Sequence, residues 1–292
     1  MSYVGEHKGK SGTPTMSGVI FVTASIIVYF IIYGLKTKIA NVVVAFTLGF
    51  MLVGFMDDFI KIKNKRNLGL KAYQKIFFQL SLSVIACVFC YVNGLTEIII
   101  PFSYKSVDLG KWVFIVVPLT FLATTNSVNL LDGLDGLAGN TTGVYLLFFG
   151  ILLLFESSVG LCRLSGEEVF AVTGYITCVF GSILAFLLFN TNKASVFMGD
   201  TGSLALGGLV ATSGIFTGNA LYIVILGVAY VITSLSVLLQ VAYFKTKKKR
   251  IFKMAPVHHH FQMSGYSESK IAYSYSLITF LIGLVIVCFF VW

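Results

Sequence analysis

A stretch of 44 residues, from 201 to 244, contains no charged side chain. A helix needs about 20 mostly apolar residues to cross a membrane, so this stretch is long enough for two crossings. The Thr-Gly-Asn sequence at 217–219 provides a natural turn between them. Seven more uncharged apolar runs occur, at residues 16–35, 39–56, 76–94, 112–131, 136–155, 169–192 and 271–292. The sequence therefore predicts an all-α, polytopic membrane protein with about nine spans.

The composition supports this fold class. The chain is 57% hydrophobic and 11% charged, whereas a typical soluble domain has about 25% charged residues. A soluble chain of 292 residues would still need a polar surface, so the apolar excess must face lipid. The loops between the apolar runs are short, which predicts one domain over residues 1–292 without a separate soluble module.

No cleavable signal peptide is expected. Residues 1–15 include Glu6, Lys8 and Lys10 but neither an apolar stretch nor a small-residue cleavage site. Cys87 and Cys90 form a single C-x-x-C within the third apolar run, whereas a structural zinc site requires four ligands. We therefore interpret these cysteines as small hydrophobic residues.

The distribution of basic residues predicts the orientation. The N-terminus shares one side of the membrane with the loops after the second, fourth, sixth and eighth spans. That side has 16 of the 21 Lys and Arg residues, and positive residues stay cytoplasmic. The N-terminus is therefore expected in the cytoplasm and the C-terminus outside it. This bias explains the net charge of +9 without a nucleic-acid partner, and none is expected.

Five polar stretches on the predicted cytoplasmic side are candidates for a functional site: residues 8–16, 56–61, 126–136, 190–203 and 245–261. In the second stretch, Asp57 and Asp58 lie at the end of a span, where buried carboxylates are costly and a helix C-terminus disfavours negative charge. A metal ion or lysines such as Lys61 would compensate them. The alternative is a solvated boundary in which lysines simply pair with the aspartates.

The third stretch has polar residues at intervals of three: Asn126, Asn129, Asp132 and Asp135. We expect this spacing to place all four on one side of a helical turn or tight loop. Four polar groups on one side of an apolar segment would line a cavity at membrane depth.

The fourth and fifth stretches are less specific when each is considered alone. Asp200 precedes a predicted helix, and by itself it is compatible with an ordinary N-cap. His258, His259 and His260 can bind a metal or contact a phosphate, but they lack the spacing of a closed zinc site. Their position beside the other polar loops favours a shared site.

The candidate residues suggest one kind of chemistry. Carboxylates without cysteine ligands suit a hard cation such as Mg²⁺, which commonly bridges carboxylates to substrate phosphates. Lysine and histidine side chains can neutralise phosphate charge. The residues therefore predict phosphoryl or phosphosugar transfer, with one reactant held in the bilayer.

Five segments resemble the phospho-N-acetylmuramoyl-pentapeptide transferase (MraY) family: GTPTM (12–16), DDFIK (57–61), NSVNLLDGLDGLA (126–138), FNTNKASVFMGDTGS (189–203) and MAPVHHHF (254–261). They occur in the family's order, and the resemblance extends from about residue 7 to the C-terminus. DGLDG and GDTGS are typical of the wider polyprenyl-phosphate N-acetylhexosamine-1-phosphate transferase superfamily. The triple histidine is typical of the MraY family within that superfamily.

The resemblance implies a reaction in peptidoglycan synthesis. Phospho-MurNAc-pentapeptide is transferred from UDP-MurNAc-pentapeptide to undecaprenyl phosphate, giving lipid I and UMP, with Mg²⁺ as cofactor. The resemblance also implies a multi-pass location in the bacterial plasma (inner) membrane, contact with membrane lipid and a homodimer. The family normally has ten spans, with one more helix before the segment that contains Lys10.

The resemblance further implies roles for individual residues. Asp200 is expected to bind the metal, and Asp57 is expected to act as the base for the lipid phosphate, with Asp58 beside it. The other expected catalytic residues are Asn129, Asp132, His258, His259 and His260. The expected substrate-binding residues are Lys10 and Asp135 at the uracil, Asn190 and Phe197 at the nucleoside, Lys61 and Lys75 near the phosphates, and Thr15 and Asn126.

Two alternatives remain open. A GlcNAc-1-phosphate transferase that uses the same lipid would share Asp57, Asp132 and Asp200, although the histidine run argues against it. A membrane transporter would also contain intramembrane charges. Transporters, however, usually place such charges near the midplane and show repeated halves, whereas here they cluster at one face and no internal repeat is visible.

Overall fold

The computed structural model describes residues 12–64 and 69–291, and Lys10 lies outside the described residues. The described chain is mainly helical, which confirms the all-α prediction. Its helices are α1 (Gly18–Tyr33), α2 (Lys38–Lys63), α3 (Ala72–Val92), α4 (Val113–Leu131), α5 (Leu137–Ser158), α6 (Gly166–Asn190), α7 (Gly199–Phe216), α8 (Ala220–Leu226), α9 (Val228–Lys247), α10 (Val257–Gln262) and α11 (Glu268–Val291). A short antiparallel hairpin of β1 (Glu97–Ile99) and β2 (Ser106–Asp108) precedes α4.

The helices fit a polytopic membrane protein. In the described part of the chain, seven helices are long and apolar enough to cross a membrane: α2, α3, α4, α5, α6, α9 and α11. Large apolar side chains such as Ile31 and Leu188 are more than three-quarters exposed on the bundle surface, as lipid-facing residues would be. The prediction of a polytopic helical membrane protein is therefore confirmed. The other two predicted spans correspond to α1, an apolar helix of 16 residues, and to α7.

Two element bounds differ from the sequence prediction. The second predicted span ends at residue 56, but α2 continues to Lys63, so Asp57 and Asp58 lie on its final turns. The segment after the predicted turn at 217–219 is interrupted at Gly227 into α8 and α9. A Cβ atom at Gly227 would lie 2.3 Å from the Ile223 carbonyl oxygen, so the chain bends where a side chain is absent.

Helix α7 lies at the centre of the bundle. Sixteen of its 18 residues are buried, and it packs mainly against α1, α2 and α4. Small residues permit this close approach. A Cβ atom at Gly18 of α1 would lie 2.2 Å from the Gly202 backbone nitrogen, and one at Gly54 of α2 would lie 2.1 Å from the Asp200 carbonyl oxygen. The packing therefore holds the first turn of α7 beside the end of α2.

The connections between helices fall at two ends of the bundle, grouped as the alternation of spans predicts. At the end that contains the hairpin, the backbone nitrogen of Lys38 donates to Glu168 at 2.8 Å. At the same end, the Ile99 nitrogen donates to the Gly218 carbonyl, also at 2.8 Å. The described residues of the polar stretches singled out in the sequence meet at the opposite end, which we call the site end.

Candidate active site

Three carboxylates from distant parts of the chain meet at the site end. Asp57 and Asp58 are on the last turns of α2, and Asp200 is the second residue of α7. One oxygen from each carboxylate lies within 4.8 Å of the others, so the group could hold a metal ion. Asp57 and Asp58 are buried, while Asp200 is partly exposed.

Two lysines compensate this negative charge. The Lys61 ammonium lies 2.6 Å from Asp57, 3.4 Å from Asp58 and 2.9 Å from Asp200. The Lys75 ammonium lies 2.9 Å from Asp200 and comes from the start of α3. Lys61 follows Asp57 by one helical turn, a spacing that brings the two side chains together. A cationic group therefore already contacts all three carboxylates.

Asp58 also caps the start of α7. One of its carboxylate oxygens accepts hydrogen bonds from the Thr201 backbone nitrogen at 2.9 Å and from the Thr201 hydroxyl at 2.8 Å. The positive end of a helix dipole favours such a carboxylate. Asp200 is not the N-cap, because it lies inside the helix and its side chain points to Lys61 and Lys75.

Asn129 connects α4 to the same cluster. Its amide nitrogen donates to Asp200 at 2.7 Å and to the Ser203 hydroxyl at 2.8 Å, while its amide oxygen accepts from Lys75 at 3.3 Å. Its donors and acceptor are thus all used within the cluster. Asn129 therefore fixes the rotamer of the Asp200 carboxylate rather than pointing freely into solvent.

A cavity of about 460 Å³ opens beside the carboxylates. Nine residues singled out in the sequence line it: Thr15, Asp58, Lys61, Asn129, Asp132, Asp135, Asn190, Phe197 and Asp200. Asp57 and Lys75 lie immediately behind this lining, in contact with Lys61 and Asp200 respectively. The structure thus brings together residues up to 185 positions apart, from Thr15 to Asp200.

Asn126 lies away from this cavity, so the expectation that four polar residues share one side is wrong for this member. Its amide donates to Gln79 of α3 and to the Leu122 carbonyl, each at 2.8 Å. The Asn126 side chain therefore faces α3, whereas the Asn129 side chain faces α7. Its expected role in substrate binding stays a prediction.

Another part of the cavity wall is built from the end of α6 and from the loops before α5 and α7. Asn190 accepts from the Gly136 nitrogen at 3.0 Å and donates to the Val196 carbonyl at 2.7 Å. The Asp135 carboxylate accepts from the Ala194 nitrogen at 3.0 Å. These bonds join the loop before α5 to the loop before α7 and set the positions of Asp135 and Asn190 in the wall.

The histidines lie on α10, behind the loop that contains Asp132. A Cβ atom at Gly133 would lie 2.5 Å from His258 Nε2 and 3.0 Å from His259 Nε2, so only glycine permits this contact. His260 is turned away, and its Nδ1 accepts from the Lys253 nitrogen at 3.1 Å. The structure therefore brings two of the three histidines to the cavity loop.

Two groups at the site have perturbed acidity. Burial, reinforced by the neighbouring carboxylates of Asp200, Asp58 and Asp135, raises the pKa of Asp132 to about 8. Burial, with His259 beside it, lowers the pKa of His258 to about 3. Neither ring nitrogen of His258 has a hydrogen-bond partner among the described residues. His258 is therefore neutral at pH 7.

Some contributors to the site were not singled out in the sequence. Thr201 and Ser203, which bind Asp58 and Asn129, lie within the GDTGS segment and could have been identified from it. The Leu70 nitrogen donates to Asp57 at 2.9 Å, and no side-chain pattern indicates a backbone donor of this kind. This backbone hydrogen bond helps to stabilise the buried Asp57 carboxylate.

This arrangement suits chemistry on phosphates. The carboxylates and the lysines are at the edge of a cavity large enough for a polar ligand, and preorganised charges of this kind stabilise developing charge during phosphoryl transfer. The site combines cation ligands with phosphate-neutralising groups. A purely solvated, lysine-paired boundary would not require two buried aspartates.

Comparison with known proteins agrees with this geometry. Residues 40–218, which include all three clustered aspartates, match the family model for glycosyl transferase family 4. The phospho-N-acetylmuramoyl-pentapeptide-transferase of Caldanaerobacter subterraneus is 44% identical over 273 residues, covering 94% of this chain and 83% of the relative. Those of Clostridium botulinum strain Alaska E43 and Desulforamulus reducens are 43% and 44% identical, each over 96% of this chain and over 83% and 82% of the relative.

These alignments include the histidine helix, which lies beyond the part matched by the family model. Identity above 40% over nearly the whole chain is too extensive to reflect a shared fold alone. The chain belongs to the phospho-N-acetylmuramoyl-pentapeptide transferases within glycosyl transferase family 4.

Proposed function

We propose that this protein transfers phospho-MurNAc-pentapeptide from UDP-MurNAc-pentapeptide to undecaprenyl phosphate, producing lipid I and UMP. The observation that carries the proposal is the cluster of Asp57, Asp58 and Asp200 with two lysines at the edge of the 460 Å³ cavity. The protein would act as a single integral membrane domain of the bacterial plasma membrane. The site end would face the cytoplasm, where nucleotide sugars are available.

The donor atoms at the cluster fit a magnesium ion. They are carboxylate oxygens without sulfur, and Mg²⁺ prefers such ligands while retaining several waters. Asp200 would be the principal ligand, with Asp57 and Asp58 completing the group. When bound, Mg²⁺ would neutralise the charge of the two phosphates that must approach each other.

The chain's own residues then have distinct tasks. Lys61 and Lys75, which pair with the carboxylates in this structure, would neutralise the negative charge of the substrate phosphates. Asp57 would accept a proton from the lipid phosphate, but a phosphate has a second pKa near 6, so much of it is already dianionic at pH 7. Positioning and charge therefore contribute more than base catalysis.

The cavity wall would bind the nucleotide. Phe197 presents an aromatic face and Asn190 and Asp135 present polar groups at the same wall, a combination that suits a nucleoside. His258 and His259 lie behind the Asp132–Gly133 turn and would border the sugar and diphosphate. Lys10, which lies outside the described residues, is proposed as a uracil contact by resemblance alone.

The test is a reconstituted transfer reaction. Purified protein is supplied with undecaprenyl phosphate and either UDP-MurNAc-pentapeptide or UDP-GlcNAc, with and without Mg²⁺, and UMP release is measured. We expect Mg²⁺-dependent release with the first nucleotide sugar only. Turnover of UDP-GlcNAc alone would identify the GlcNAc-1-phosphate transferase instead, and absence of UMP release with movement of substrate into vesicles would favour a transporter.

A further inference from the structure

A chain of hydrogen bonds connects the start of α11 to the histidine helix. The Glu268 carboxylate accepts from the Asp135 backbone nitrogen at 2.9 Å through one oxygen. Its other oxygen accepts from the Gln262 side-chain amide at 3.1 Å. The Gln262 amide oxygen in turn lies 3.1 Å from His259 Nδ1. Glu268 thus contacts both the cavity loop and, through Gln262, a histidine beside it.

Donor and acceptor rules determine the protonation of His259 in this chain. An ionised carboxylate only accepts, so the Gln262 NH₂ group must face Glu268 and its oxygen must face His259. An amide oxygen also only accepts, and His259 Nδ1 must therefore carry the hydrogen. Nε2 is then the ring nitrogen that exchanges a proton, and it is the nitrogen nearest to Gly133 of the cavity loop.

We infer that Glu268 is a positioning residue that acts through Gln262 to hold His259 with Nε2 turned toward the cavity. The inference rests on the proposed function, because it assigns His259 a task at the same site. The location of Glu268 supports it, because the first residue of α11 lies between the cavity loop and α10 and contacts both. Partners that orient a functional imidazole in this way commonly change activity by about 10- to 100-fold.

The isosteric change Glu268→Gln separates this role from simple bracing. The new amide can still accept from the Asp135 nitrogen, so the link to the cavity loop is retained. Its NH₂ group, however, faces the Gln262 NH₂ group, and Gln262 must rotate to present its oxygen. Gln262 then offers a donor to His259 Nδ1, which favours the opposite tautomer.

The double change Gln262→Glu with Glu268→Gln restores the original pattern of hydrogen-bond donors and acceptors at His259. The new carboxylate at 262 accepts from His259 Nδ1 and from the new amide at 268, while that amide still accepts from Asp135. We expect Glu268→Gln to lower kcat by at least about tenfold with little change in KM for the nucleotide sugar, and the double change to recover most of that loss. If Glu268 only held the two segments together, Glu268→Gln would lower kcat mildly and the double change would not restore kcat.

Glu97→Gln is the matched control, because Glu97 pairs with Arg163 at the opposite end of the bundle and should tolerate the same exchange.

Nitrogen NMR of isotope-labelled histidine provides a readout that does not depend on turnover. The His259 signals are assigned by comparison with His259→Gln. We expect a protonated Nδ1 in the unmodified protein and an unprotonated one in Glu268→Gln. An unprotonated His259 Nδ1 in the unmodified protein would overturn the inference, as would an active protein whose kcat is unchanged by Glu268→Gln. An unmodified protein without transferase activity would contradict the proposed function, and the NMR comparison would still decide the inference.

Discussion

Asp200 is the residue on which most contacts of the site converge. It receives both lysines and the Asn129 amide, whereas Asp57 is held by Lys61 and a backbone nitrogen. Asp58 uses one oxygen to cap α7 and has its other oxygen near Lys61. Three similar carboxylates therefore have different tasks because their neighbours differ, and single substitutions should separate them.

Asp200→Asn should lose more transferase activity than Asp57→Asn. The first change removes the proposed principal metal ligand, while the second removes a base that the lipid phosphate scarcely needs at pH 7. We expect a loss of at least about 100-fold for Asp200→Asn, on the scale of removing one preorganised electrostatic group. Activity and Mg²⁺ affinity are measured together, and equal Mg²⁺ affinity in the unmodified protein and Asp200→Asn would contradict the assignment.

Asp132→Asn should increase thermal stability above pH 5 while reducing activity. The folded state raises the Asp132 pKa to about 8, compared with about 4 in an unfolded chain. Folding therefore favours the protonated form, and the stability that this form contributes is lost as the pH rises from about 4 to 8. The thermal midpoint of the purified protein in detergent, compared at pH 5 and pH 8, is the measurement. A larger increase in the thermal midpoint at pH 5 than at pH 8 would contradict this prediction.

At the scale of elements, the contact between α2 and α7 sets the geometry of the site. Gly54 allows the α2 backbone to lie against Asp200 and Thr201, and one helical turn later Asp58 reaches the start of α7. A helix with an apolar outer face can pack in many orientations in a membrane. The absence of a side chain at Gly54 is what permits this one.

Gly54→Ala should therefore disturb both stability and activity. The added Cβ would lie 2.1 Å from the Asp200 carbonyl oxygen, so the helices must separate, at a cost of about 1–3 kcal/mol. The same change at Gly181 of α6, where a Cβ meets nothing within 4 Å, is the control and should stay within about 1 kcal/mol of the unmodified protein. Thermal midpoints and turnover are measured for both. Equal effects at the two positions would show that α2 and α7 do not require this close contact.

At the scale of the whole molecule, the two ends of the bundle differ in charge and in structure. The site end combines basic loops with the buried aspartates, and the other end has the hairpin and the pair formed by Glu97 and Arg163. Loops distant in sequence join at each end through hydrogen bonds, as between Lys38 and Glu168. The molecule therefore has two distinct faces that can be tested separately.

Accessibility labelling tests the proposed orientation. In a variant whose five cysteines are replaced by alanine, Lys249→Cys introduces a thiol at the site end and Lys105→Cys introduces one in the hairpin, both at exposed positions. In intact spheroplasts, a membrane-impermeant maleimide should label the second variant and not the first, because basic loops remain cytoplasmic. Labelling of Lys249→Cys from outside would reverse the orientation.

The sequence by itself determined the fold class and most members of the site. Spans follow from hydrophobic length, since backbone polar groups in lipid must be satisfied within helices. The segments around Asp58, Asn129 and Asp200 contain much of the cavity lining. Its carboxylates stand out because charges at membrane depth are too costly to retain without a task.

Only the tertiary structure decided which atoms meet. It turned Asn126 toward Gln79, assigned Asp58 to cap α7, and connected Glu268 through Gln262 to His259. These outcomes depend on helix rotation and on packing between residues far apart in the chain, for which hydropathy and spacing carry no information. The physical reason is that an apolar run specifies that a helix is buried or faces lipid but not how the helix is rotated. Hydrogen bonds and glycine contacts at the helix ends select one rotation and packing.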